Sequence, residues 1–147
     1  MNKKYLLISV LVFSFGLHAE KIQSLEDYLT LNNANDNKDS VSAYLFKRCA
    51  ATFSVVGQIL NNENKPGYKK ISDDMTIAGA RMLVAASNLD ASFAKRDVLD
   101  VAVDVRAEVK KIYNILWEIS EDSYARTAVY LTPHVDDLKT CQIIAQS

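Results

Sequence analysis

The sequence predicts an all-α protein: an antiparallel bundle of about four main helices, with a short N-terminal helix, stapled by one disulfide. Turn-forming residues are scarce, because 147 residues include only 4 glycines and 2 prolines. An all-β domain would need a turn roughly every 8–12 residues. Apolar residues instead recur at steps of three and four, which is the spacing of one helix face. Both cysteines, Cys49 and Cys141, fall on such faces.

Residues 1–19 have the pattern of a secretory signal peptide. Lys3 and Lys4 precede the apolar run 5–17, and Ala19 offers a small residue at a cleavage site. The run is shorter than the roughly 20 residues of a membrane-spanning helix, which argues against the alternative of an uncleaved anchor. We therefore expect residues 20–147 to form one domain, periplasmic or secreted, with no stable membrane insertion after cleavage.

The charge balance argues against nucleic acid as a partner. The chain has 17 basic and 18 acidic residues, a net charge of −1. Loss of residues 1–19 makes the remainder more acidic, because Lys3 and Lys4 leave with them. Binding to a phosphate backbone needs a basic patch, and no segment of this sequence has that composition.

Two helices are expected in the first half of the chain. The first begins at Ser24, whose hydroxyl can cap it, and Asp27 lies in the positively polarised first turn. The polar run 32–39 ends this helix. The second extends from Ser40 to about residue 60, and the segment 61–70 is expected to be a loop. The apolar face of the second helix comprises Val41, Leu45, Cys49, Phe53, Val56 and Leu60.

A third helix is expected to begin at Ser72, and a fourth at about Val98. Continuing the apolar face of the third helix past residue 93 would place charged side chains in the core. We therefore expect a break at 95–97, with Asp97 as the cap of a fourth helix that reaches about Ser120. The predicted core face of the third helix comprises Ala78, Met82, Ala85, Leu89 and Phe93. That of the fourth comprises Val98, Ala102, Val105, Val109, Ile112, Leu116 and Ile119.

The C-terminal part has one ambiguous segment and one further helix. Residues 121–131 fit either an extension of the fourth helix or a compact loop. The last helix is expected to have Thr132 as its cap and Pro133 at its first position, where the missing N–H costs nothing. Its apolar face comprises Val135, Leu138, Cys141 and either Ile144 or Ala145.

The two cysteines predict a structural disulfide. Cys49 and Cys141 are the only cysteines, and both should point into the core. An exported chain reaches a compartment in which disulfides persist. Free core thiols and a reactive cysteine are the alternatives.

Arg48, next to Cys49, is expected to form an ion pair. Adjacent residues on a helix diverge by about 100°, so Arg48 does not face the sulfur. Asp136 and Asp137 lie close to Cys141 in sequence and become the natural partners once the disulfide forms. The alternative is an anion-binding arginine in a groove.

Asp97, Asp100, Asp104 and Glu108 form an acidic ridge on the predicted fourth helix. Such a run is usually a solvated face. A surface that docks a partner and a site for a hard cation are the alternatives.

Four aromatic residues concentrate near one end of the predicted bundle: Tyr113, Trp117, Tyr124 and Tyr130. Core packing is the default interpretation. Aromatic side chains with polar tips are also enriched in recognition surfaces, so these four residues are the candidate binding patch.

No residue pattern predicts a cofactor, a metal or a catalytic centre. His134 is the only histidine after residue 19, and Met75 and Met82 invite comparison with bundles that bind haem through one Met and one His. We expect His134 to be exposed and the methionines to fill the core. No catalytic motif is present, so an enzyme is not expected.

In layout, with a signal peptide, a helical domain, one cysteine early in a helix and another near the C-terminus, the chain resembles small periplasmic helical immunity proteins. Those proteins neutralise secreted effectors that degrade the cell wall. We expect a non-enzymatic exported protein acting by contact with another protein, as an inhibitor, immunity factor or envelope accessory protein. The alternative is a carrier of a small ligand or haem, with a cavity lined by Tyr44, Phe53, Met82 and Trp117.

Overall fold

The computed structural model of the chain describes residues 22–32 and 38–146, and these residues form five helices and no strand. The helices are α1 (Leu25–Asn32), α2 (Lys38–Glu63), α3 (Tyr68–Ala94), α4 (Val98–Thr127) and α5 (Val135–Gln146). The predicted all-α bundle with a short first helix is confirmed. The predicted signal peptide, residues 1–19, lies outside the described residues.

Two predicted helix starts are confirmed by their capping bonds. At α1, the Ser24 hydroxyl accepts a hydrogen bond from the backbone N–H of Asp27 at 3.1 Å and donates one to its carboxylate at 2.8 Å. At α4, the Asp97 carboxylate accepts from the backbone N–H of Leu99 at 2.8 Å. Both signals are local, since the cap and its partner lie within three residues of each other.

The predicted start of α3 at Ser72 is wrong. The helix begins four residues earlier, at Tyr68, after a short connection in which Asn64 and Gly67 take the left-handed conformation. Ser72 is buried, and its hydroxyl donates across the bundle to the carbonyl oxygen of Gly57 at 2.8 Å. Ser72 therefore contributes a tertiary hydrogen bond between α2 and α3 in place of a cap.

The predicted boundaries at the C-terminal end also differ from the structure. The fourth helix extends past Ser120 to Thr127, so most of the ambiguous segment is helical. The last helix begins at Val135, because His134 has a φ of 49° and interrupts the helical backbone. Thr132 and Pro133 therefore precede the helix and do not form its first turn.

Helix α2 lies at the centre of the bundle and contacts all four other helices. Its buried side chains contribute to two core clusters, one around Phe53 and Met82 and one around Val55 and Leu116. Gly79 allows α3 to approach α2 closely, because a Cβ atom there would lie 3.3 Å from the carbonyl oxygen of Ala50. A third core cluster joins α3 to α4 through Ala86, Ala91, Val101 and Val105.

The predicted core faces fail where α3 meets α4. Phe93 is 58% exposed and Val98 is 40% exposed, although both were expected in the core. The side chains that pack between the two helices here are Ala91 and Val101. The helix periodicity is correct, but at this end of the bundle no described residue covers that part of the apolar face.

Candidate functional site

The candidate binding patch is built by a segment that folds back onto α4. Helix α4 ends where Ala128 adopts a left-handed conformation, and the chain then returns along the helix. Two buried serines hold this return segment (residues 128–131) in place. The Ser120 hydroxyl donates to the carbonyl oxygen of Leu131 at 2.8 Å, and that of Ser123 to Val129 at 3.1 Å.

The return segment carries Tyr130 onto the aromatic side chains of α4. The ring centroids of Tyr130 and Tyr124 lie 4.3 Å apart, and those of Tyr130 and Trp117 lie 5.7 Å apart. Trp117 in turn stacks with Tyr113 at 6.3 Å, with their planes only 4° apart. The four residues proposed from the sequence therefore form one continuous stack, which we call the aromatic column.

The aromatic column lies at the surface of the bundle. Tyr124 is 47% exposed, and Tyr113, Trp117 and Tyr130 are half-buried. Among the described residues, the Tyr130 hydroxyl has one long contact, 3.5 Å from the Asn62 amide nitrogen. The indole N–H of Trp117 and the Tyr124 hydroxyl form no hydrogen bond with any residue that the structure describes. The column therefore keeps free hydrogen-bonding capacity on its polar tips.

Apolar side chains and a shallow pocket adjoin the aromatic column. Val129 and Leu131, on the return segment, are 50% and 57% exposed. A pocket of about 380 Å³ lies between the end of α2 and the return segment. Its lining includes Asn62, Lys65, Tyr124, Val129 and Tyr130. Aromatic rings with apolar side chains beside them match the composition of the core of a protein-binding surface.

Within the aromatic column, burial and Glu121 act on the hydroxyl of Tyr113. Burial raises the pKa of Tyr113 above its ordinary value, and the negative charge of Glu121 raises it further. The Tyr113 hydroxyl is therefore neutral at physiological pH and available as a hydrogen-bond donor. It is not poised to act as a base.

Away from the aromatic column, the predicted disulfide fastens α5 to α2. Cys49 and Cys141 are bonded, with their Cα atoms 5.3 Å apart, and both are fully buried. The bridge closes a sequence separation of 92 residues. Because both sulfurs are used in the bond, neither cysteine is a thiol nucleophile.

Arg48 forms its ion pair with Asp137. Its Nε and Nη2 atoms donate to one carboxylate oxygen of Asp137 at 2.8 and 2.7 Å, and both side chains are at most 1% exposed. The other carboxylate oxygen accepts from the backbone N–H of Leu25 at 2.8 Å. Asp136, the second candidate, instead pairs with Lys139 on the surface. The disulfide and the bonds of Asp137 join α1, α2 and α5 at one place, which we call the buried junction.

The sequence interpretation missed a second buried cation, Lys47. Its ammonium lies 2.6 Å from Asp90 on α3 and 2.7 Å from Glu108 on α4, so it joins three helices. Burial lowers the pKa of Lys47, but the hydrogen bonds to Asp90 and Glu108 outweigh this effect and raise the pKa above its ordinary value. The only sequence signal was a lysine next to Arg48 on a helix with a long apolar face.

The predicted acidic ridge is mostly engaged within the chain. Asp97 caps α4, Asp104 pairs with Arg96 at 3.1 Å and Glu108 pairs with Lys47. Of the four, only Asp100 forms no ion pair or hydrogen bond with a described residue. The described residues contain no group of three or more metal-binding side chains.

The residues expected to line a ligand cavity lie in the core or pack against it. Phe53 and Met82 are buried together, with Tyr44 against them, and Trp117 packs against a different core cluster. His134 lies on the rim of a surface cleft of about 650 Å³ between α1 and the end of α4. Met82 is 5% exposed and fills the core between helices.

Comparison with protein-family models, curated proteins and solved structures found no match for this chain. Within the described ranges, no helix is long and apolar enough to cross a membrane. The buried disulfide fits a compartment outside the reducing cytosol.

Proposed function

We propose that this chain is an exported, non-enzymatic helical protein, periplasmic or secreted, that acts by contact with another protein. The observation that carries the proposal is the aromatic column of Tyr113, Trp117, Tyr130 and Tyr124. Tyrosine and tryptophan are the residues most enriched at the energetic centres of protein interfaces. Within this class, an inhibitor, an immunity factor or an envelope accessory protein would each use such a surface.

Two further features support the proposal. The return segment is tied down by the buried hydroxyls of Ser120 and Ser123, so the aromatic rings are held in place before a partner arrives. A surface arranged in advance loses less conformational entropy on binding. The disulfide and the apolar run in residues 1–19 support export, because such a bond persists in an oxidising compartment.

The test is capture of a partner from envelope extract with a matched pair of variants. Tagged, oxidised wild-type protein should retain one partner stoichiometrically, and Tyr124→Ala should lose it. Val84→Ala is the control, because Val84 is a 59% exposed apolar side chain on the outer face of α3. Equal capture by wild type and Tyr124→Ala, or no stoichiometric partner, would refute the proposal.

A further inference from the structure

The aromatic column has a carboxylate on its own face of α4. Glu121 follows Trp117 by four residues and precedes Tyr124 by three, and residues at these spacings are neighbours on a helix surface. The negative charge of Glu121 reaches Tyr113, whose pKa it raises. Glu121 therefore lies on the same face of α4 as the column, close enough to Tyr113 for its charge to act on that hydroxyl.

This carboxylate has no cationic partner among the residues that the structure describes. Glu121 is exposed and forms no ion pair or hydrogen bond with a described residue, and the same holds for its neighbours Glu118 and Asp122. Other surface acids do have cations. Asp73 and Asp74 pair with lysines four residues away on α3, and Asp136 pairs with Lys139. A negative charge that pairs with no described cation thus lies next to the aromatic column.

Aromatic rings beside a free carboxylate are chemically complementary to a guanidinium group. A cation within about 6 Å of a ring centroid is attracted to the face of the ring. The planar guanidinium can stack on such a ring and donate two hydrogen bonds to one carboxylate, which an ammonium group cannot do as well. The chain itself has a cation–π contact close by, with the Lys65 ammonium 5.3 Å from the centre of the Tyr68 ring.

We propose that the aromatic column and Glu121 together receive an arginine side chain of the partner protein. The inference rests on the proposed function and names the chemistry that the partner presents there. In this arrangement the guanidinium lies against the exposed ring of Tyr124 and donates to the Glu121 carboxylate. The exposed side chains of Val129 and Leu131 then contact apolar residues of the partner that surround that arginine.

The only tryptophan of the chain provides the readout. Because the chain has one tryptophan, its indole N–H gives a single signal in a proton–nitrogen NMR spectrum. Trp117 lies inside the column, so that signal reports on binding there. The probes are tetra-arginine, tetra-lysine and tetra-citrulline peptides, since citrulline has the shape of arginine without its charge. Tetra-arginine should shift the Trp117 signal saturably, and both other peptides should bind at least about three-fold more weakly.

Two matched variants locate the carboxylate that acts. Glu121→Gln should weaken tetra-arginine binding by about three-fold, a size typical of an exposed charge contact. Glu26→Gln is the control, because Glu26 is exposed on α1 and undergoes the same change of charge. Equal unfolding curves of the two variants would establish that both are folded alike.

Several results would overturn the inference. These are no shift of the Trp117 signal, equal binding of tetra-arginine with either other peptide, or equal weakening by Glu121→Gln and Glu26→Gln. Any of them could occur while Tyr124→Ala still abolishes capture from envelope extract. In that case the protein-binding function would stand and only the arginine assignment would fail.

Discussion

The buried junction and the aromatic column use polar side chains in opposite ways. In the junction, Arg48 and Asp137 are at most 1% exposed, and both oxygens of the Asp137 carboxylate accept hydrogen bonds. In the column, Tyr124 is 47% exposed and its hydroxyl has no hydrogen bond to a described residue. The bonding of the Asp137 carboxylate is completed internally and contributes to folding, although Nη1 of Arg48 is buried without a hydrogen-bond partner among the described residues. Bonding capacity left at the surface of the column is available to a partner.

The contrast separates stability from binding. Removing one member of a buried ion pair leaves an uncompensated charge out of water, which is costly. Removing an exposed aromatic ring costs little free energy of folding. If the ring lies at the centre of a binding surface, its removal costs much free energy of binding. The two regions should therefore respond differently to substitution.

The largest loss of stability is expected for Asp137→Ala. The substitution leaves the Arg48 guanidinium buried without its carboxylate and removes the acceptor of the Leu25 N–H. The expected cost is about 3–5 kcal/mol in the free energy of unfolding. Urea unfolding of the oxidised protein, followed by far-ultraviolet circular dichroism, measures it.

The control is Asp136→Ala, one residue away. Asp136 is exposed and pairs with Lys139 on the same helix, so its loss should cost no more than about 0.5 kcal/mol. Comparable losses for the two substitutions would mean that burial does not distinguish these carboxylates.

Removal of the disulfide should rank next. Replacing Cys49 and Cys141 together by alanine opens a loop with a sequence separation of 92 residues. Native bridges typically contribute about 2–5 kcal/mol, chiefly by restricting the unfolded chain. Urea unfolding checks the loss, and mass spectrometry without reductant should recover the two cysteine peptides as one linked species. Two free thiols in the wild type would contradict the assignment.

Lys47→Met should cost less, about 1–2 kcal/mol, between the values for buried and exposed pairs. Its partners Asp90 and Glu108 have side chains 25% and 52% exposed, so water can solvate them once the ammonium is gone. Comparison of wild-type and variant unfolding midpoints in urea measures the difference.

The contribution of Lys47 should also depend on pH. Its pKa is raised above 10.5 in the folded state, because the two carboxylate hydrogen bonds outweigh burial. A raised pKa means that the stabilisation is complete below 10.5 and is lost as the pH rises through the folded-state value. The stability difference between wild type and Lys47→Met should be constant from pH 7 to about 9.5 and shrink above about 10.5. A constant difference up to pH 12 would contradict this.

The smallest effect on stability is expected for Tyr124→Ala, in the aromatic column. Tyr124 is nearly half exposed and stacks on Tyr130, so the loss should be about 1 kcal/mol. Urea unfolding measures this loss. A cost as large as that of Asp137→Ala would mean that the column is a structural core.

Much of the fold was predictable because its signals are local. The caps at Ser24 and Asp97 bond within three residues, and the pairing of Cys49 with Cys141 followed from their number and their helix faces. The start of α3 was mispredicted because Ser72 bonds to Gly57, and no local pattern reveals a partner 15 positions away.

The candidate site was predictable in membership but not in construction. The spacing of Tyr113 and Trp117 indicated one helix face, yet the position of Tyr130 depends on the bonds from Ser120 and Ser123 to the return segment. All four residues of the acidic ridge are exposed, as its interpretation as a solvated face expected, but the pairing of Glu108 with Lys47 on another helix was not predicted. Both features depend on contacts that sequence periodicity does not reveal.

The most direct test of the account is the affinity of the captured partner for variants of the two regions. Tyr124→Ala should weaken binding by about 30-fold or more, the loss typical of an interface hot spot. Asp136→Ala, which lies next to the buried junction and leaves it intact, should bind like the wild type. Wild-type affinity for Tyr124→Ala, with the variant folded, would contradict the claim that the aromatic column is the binding surface.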